Sequence, residues 1–144
     1  MCRQAGSGID EVAVSLRVFS DELDPEHISR LLGVAPSLLR CKGDVRHSGG
    51  RAVVQRASVW TFSVECSPEW ILPDAIGTLL DRLPSDPAIW AELTRCYRVD
   101  LFCGLFIESW NRGVNLPAAL LRRLAERGLD LDFDIYFSGD PGTE

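Results

Sequence analysis

Residues 129 to 137, LDLDFDIYF, alternate without a break. Leu129, Leu131, Phe133, Ile135 and Phe137 fall on one side, and Asp130, Asp132, Asp134 and Tyr136 on the other. Strand side chains point to opposite faces at period two, so this pattern predicts a strand with one apolar and one acidic face. The same period recurs in VAVSLRVF, residues 12 to 19, where Val12, Val14, Leu16 and Val18 share a face. It recurs again in RVDLFCGLFI, residues 98 to 107. There Val99, Leu101, Cys103, Leu105 and Ile107 oppose Arg98, Asp100, Phe102, Gly104 and Phe106. Strands of this kind build a sheet that is covered on one side and wetter on the other.

A fourth alternating segment, AVVQRASVWTFSVE at residues 52 to 65, puts Trp60, Phe62 and Val64 on one face. It is expected to run as one strand and to pair, as a hairpin, with a short edge strand at residues 37 to 42. Between them lies DVRHSGGR, whose Gly49 and Gly50 supply turn chemistry.

Helix signals fill the gaps. Asp24 is an N-cap with Pro25 behind it, Leu23 and Ile28 are spaced for a hydrophobic staple, and Gly33 ends the helix. Pro73 opens a second helix bearing Ile76, Leu79, Leu80 and Leu83, which Pro84 interrupts. Asp86 and Pro87 open a third, anchored by Ile89, Trp90 and Leu93. LPAALLRRLAERG predicts a fourth, with Leu120, Leu121 and Leu124 inward and Gly128 as the stop. The order predicts an α+β two-layer sandwich: one largely antiparallel or mixed sheet of about five strands, helices on one face. At 144 residues the chain fits a single domain, its core at 12–137, with 1–9 and 139–144 as loose tails.

Charge narrows the function classes. The formal net charge is −6, which disfavours nucleic acid and favours a basic protein partner. No apolar run has the roughly 20 residues a membrane helix needs, and residues 1 to 9 lack a signal-peptide core. The cysteines, Cys2, Cys41, Cys66, Cys96 and Cys103, are odd in number and form no C-x-x-C pair. That pattern fits a reduced, cytoplasmic protein.

No constellation carries catalysis, a metal or a cofactor. The aspartates of 130–134 lack the glycine and the terminal glutamate of a calcium loop, since Ile135 stands at the glycine place. They read instead as an acidic docking surface that Asp100 extends. Cys41 and His47 have no second Cys/His pair near them, and Cys103 sits at an inward strand position. KGDVRHSGGR puts Lys42, the single lysine, before its glycines and leads into a strand, so it is a basic hairpin turn and not a phosphate loop. Trp110, beside Glu108 and Arg112 in ESWNRG, is expected on the surface as a partner anchor.

The blocks SLRVFSDELDPEHISRLLGVAP, KGD, SVWTFSVE, VDLFCGLFIE and LPAALLRRLAERGLDLDFDIYF occur in an order that resembles the bacterial domain of unknown function 4279 family. The resemblance runs over about residues 12 to 137. It implies a small single-domain bacterial protein whose pattern includes Lys42-Gly43-Asp44, Trp60 and the strand from Asp100 to Glu108, and it carries over no catalytic residue. The segment VRHSGGRAVVQRA departs from the pattern as an insert-like turn.

Three functions fit these observations. The leading one is a non-enzymatic module that docks a protein partner, extending to an immunity-type antidote against a basic toxin. The second is a small-ligand-binding or enzymatic domain in which Lys42, Asp44, Trp60, Asp100 and Glu108 converge on a pocket over the polar sheet face. The third is a structural homo-oligomer that pairs sheet edges or acidic faces.

Overall fold

The computed structural model describes residues 9–138. In chain order the elements are β1 (Glu11–Ser20), α1 (Pro25–Leu32), β2 (Leu38–Arg40), β3 (Val45–Ser48), β4 (Arg51–Val54), β5 (Ser58–Ser63), α2 (Leu72–Asp81), α3 (Pro87–Cys96), β6 (Arg98–Ile107), α4 (Ala118–Glu126) and β7 (Asp130–Phe137). Five strands form one mixed sheet in the order β2-β5-β1-β6-β7. All neighbours are antiparallel except β6 and β7, which run parallel, with α4 in the crossover between them. The architecture is the expected α+β sandwich.

Register follows the alternation. Val18 lies opposite both Trp60 and Val99, and Leu16 opposite both Phe62 and Leu101. These residues form one core with Ile28, Leu72, Ile76, Leu79, Trp90, Leu93, Leu120 and Leu124 of the helices. Helix α2 packs on β1, α3 on β6, and α1 on α3. The helix starts are built as their sequences imply: Asp24 Oδ1 accepts the His27 N–H, Asp86 Oδ1 accepts the Ala88 N–H, and Gly33 closes α1 at φ 70. No helix among the described residues is long and apolar enough to cross a membrane.

Three expectations change. Residues 52–65 are not one strand, because Gln55 to Ala57 break them. The first part, β4, pairs with β3 in a separate two-stranded hairpin. Gly49 and Gly50, at φ 58 and 78, form its two-residue turn, whose twist suits a tight hairpin and selects β3 as the partner of β4. This arm is almost wholly exposed. Leu121, expected inward, is 43% exposed, because the apolar stripe of α4 rests on Leu120 and Leu124. The helix layer also stops short of β7. Phe133, Ile135 and Phe137 point to the helix side yet remain 41%, 63% and 43% exposed.

Candidate functional site

The sheet face opposite the helices collects the polar half of each strand. Register sets Arg17 beside Asp100 and Asp100 beside Asp130; one rung on, Ser15, Phe102 and Asp132 line up. Arg17 is the hub. Its Nε donates to Asp100 Oδ1 at 2.8 Å and its Nη2 to Asp100 Oδ2 at 2.7 Å, a two-pronged pair. Nη2 also reaches Asp132 Oδ2 at 3.2 Å. The guanidinium lies 4.3 Å from the ring centre of Phe102 and 5.0 Å from that of Phe19, which Arg98 approaches at 4.6 Å.

Under this cover Asp100 is only 3% exposed. The hydrogen bonds that Arg17 donates to Asp100 raise the Arg17 pKa above its ordinary value, against the opposing effect of burial. Asp132 moves the other way for a carboxylate: hydrogen bonding to Asp100, and the charge of Asp100, hold its pKa above the usual 3.8. Farther along, the Tyr136 hydroxyl donates to Asp134 Oδ2 at 2.9 Å and its ring stacks on Phe106. Asp130, Asp132 and Asp134 all remain exposed.

The six residues singled out by sequence do not converge. Asp100 is on this open face, spent on Arg17. Trp60 is fully buried on the opposite face, where its Nε1 donates to Ser29 Oγ at 3.2 Å. Lys42 and Asp44 sit at the base of the hairpin arm. The Lys42 N–H donates to Ser58 Oγ, Asp44 Oδ2 accepts the Cys41 N–H, and Lys42 Nζ lies 3.6 Å from Asp21. Gly43 between them has φ 91 and donates its N–H to the Gln55 carbonyl. Lys42-Gly43-Asp44 is therefore a turn that anchors the arm. Glu108 and Trp110 lie beyond the end of β6, both exposed, Trp110 at 62%.

Burial pushes the Cys103 thiol up to about 12, so it stays protonated. His27 Nδ1 is paired with the Tyr97 hydroxyl at 3.1 Å. Among the described residues no three His, Cys, Asp or Glu side chains are placed to hold a metal ion.

Sequence reasoning passed over two features. One is Arg17, whose polar slot in an apolar strand was the available signal. The other is a cavity of about 830 Å³ between the start of α2 and the loop that leads to α4.

Comparison with curated proteins and with solved structures gives no match. The profile of one family covers residues 10–138, and the chain therefore belongs to the family described as Domain of unknown function (DUF4279).

Proposed function

We propose that the protein is a non-enzymatic binding module that docks a basic protein partner along β7. One observation carries this reading. β7 ends the sheet, with Asp130, Asp132 and Asp134 exposed on one face and Phe133, Ile135 and Phe137 uncovered on the other. A terminal strand offers unpaired backbone groups to an incoming strand. A partner strand that alternates basic with apolar side chains would match both faces at once.

Self-pairing fits less well. In an antiparallel pair of two β7 strands, the two rows of carboxylates would share one face, and like charges set side by side are destabilising. The chain's net charge of −6 adds to that repulsion. A toxin with a basic surface, held by this protein as its antidote, is the setting that such a strand suits best. The exposed thiols of Cys41 and Cys96 fit a reducing compartment, the cytoplasm.

The test is affinity capture from lysate of the source cells, with wild type and an Asp130→Lys/Asp134→Lys variant as baits. The reading expects a basic protein that wild type retains, that rising salt releases, and that the variant loses. Equal capture by both baits, or no specific capture, sinks it. A captured protein without toxicity removes the antidote role alone.

A further inference from the structure

The cavity beside α2 is independent of β7. Its walls are mainly Ile9, Ile71, Leu72, Pro73, Val114 and Pro117. A volume of about 830 Å³ falls in the range of small-molecule sites, and walls of this kind suit an apolar body. One charged side chain, Arg112, also lines it.

Arg112 is incompletely satisfied. Its Nη2 donates to Asp10 Oδ1 and its Nη1 to the Asn111 carbonyl, both at a long 3.3 Å. Its Nε is shut off from solvent and has no acceptor among the described residues. Nε itself lies out of a ligand's reach, but Nη1 and Nη2 each keep a second N–H without an acceptor among the described residues, and an acceptor brought by a ligand would pair with these. Two helices also begin on the cavity wall, α2 after Ile71 and α4 after Pro117, and neither has a side-chain cap. Their positive ends add to the preference for an anion.

Asp10 limits the charge of that anion. Burial pulls its pKa up, but the Glu108 N–H and the Arg112 guanidinium outweigh burial and hold it below the usual carboxylate range. It is therefore ionised at neutral pH and already takes part of the Arg112 charge. A dianion would be repelled by it, whereas a single carboxylate needs only the remaining donors.

We propose that this cavity binds a small molecule with an apolar body and one carboxylate, the carboxylate seated on Arg112.

Decanoate, decanol and decylamine share one chain and differ in the charge of the head. Titration calorimetry on the full chain should show decanoate binding at one site, at least about ten-fold tighter than decanol, with decylamine weaker still. Arg112→Gln should bring decanoate down to the decanol level and leave decanol unchanged. Val114→Trp, which fills the cavity, should weaken both and serves as the second variant should Arg112→Gln fail to fold. Asp130→Lys/Asp134→Lys should bind decanoate as wild type does, which separates this site from the β7 surface. Equal affinity for decanoate and decanol, no binding of either, or tight decanoate binding that survives Val114→Trp would each overturn the proposal.

Discussion

Arg17 and Asp100 meet edge to edge across the β1–β6 pair, at 2.8 and 2.7 Å, on the sheet face away from the helices. Asp100 is buried there, on the polar side of the sheet, beneath a guanidinium that itself rests on the Phe102 ring. The pair is thus a partly buried ion pair made inside a single layer, with Asp100 buried and Arg17 a quarter exposed. Such a pair is worth little against a well-packed apolar substitute, but breaking it strands a desolvated charge.

That asymmetry gives a measurable signature. Arg17→Met should destabilise the fold by about 3 kcal/mol, because Asp100 then stays buried without its partner. The double change Arg17→Met/Asp100→Leu should cost less than Arg17→Met alone. Urea unfolding of the three proteins measures both quantities. If the double variant is no more stable than Arg17→Met, the pair is not coupled and this account of Asp100 is wrong.

Asp132 predicts an inverted pH response. Its folded pKa lies above the ordinary 3.8, so the folded state binds this proton more tightly than the unfolded chain does. The associated stability is present below 3.8 and is lost as pH rises through the folded value. Asp132→Asn should therefore raise the melting temperature at pH 7, with the gain fading in acid. Asp10 has the opposite sign, since its folded pKa is lowered. Its stability is present above 3.8 and disappears as pH falls through the folded value, so Asp10→Asn should lower the melting temperature at pH 7 and not in strong acid. Melting curves of both variants across acid and neutral pH would expose a wrong sign in either.

The two tryptophans picked out from sequence should part company in the same assay. Trp60→Ala empties a fully buried site and leaves the Ser29 hydroxyl without the indole N–H, a loss of about 4 kcal/mol. Trp110 is 62% exposed, so Trp110→Ala should stay within about 0.5 kcal/mol of wild type.

Their different fates illustrate what could be read from the chain and what could not. Period two located β1, β6 and β7, because each strand sends alternate apolar residues to the helix side of the sheet, and Asp24 and Asp86 marked helix starts by their own hydrogen bonds. Residues 52–65 misled because alternation says nothing about which strand is the partner. Gly49 and Gly50 close a two-residue turn, and that turn pulls Arg51–Val54 onto Val45–Ser48 and out of the main sheet. Arg17 escaped notice for a related reason. Its partner Asp100 is 83 positions away, and only the register of two strands brings them together. The cavity is farther still from a local signal, since three distant segments meet to form it. The uncovered half of β7 had no signal of its own either. Its apolar residues look the same whether a helix reaches them or not.

The hairpin arm supplies the last prediction. Its turn depends on Gly49 and Gly50, which hold φ 58 and 78, a region that residues with a side chain rarely adopt. Its two strands make no pairs with the main sheet, and their side chains are exposed except for a half-buried Val53. The arm is tied down at its base by Gly43 and Gln55 and by the Lys42 N–H to Ser58. Gly49→Ala/Gly50→Ala should therefore unfold the arm alone, because an isolated two-stranded hairpin has little stability to spare. Trypsin should then cut after Arg46 and Arg51 much faster than in wild type, while the melting temperature of the main domain stays within a few degrees. Asp44→Ala, which removes the acceptor of the Cys41 N–H at the base, should speed the same cuts by loosening the anchor. A large drop in the global melting temperature with either variant would mean that the arm is part of the cooperative core, against the burial seen here.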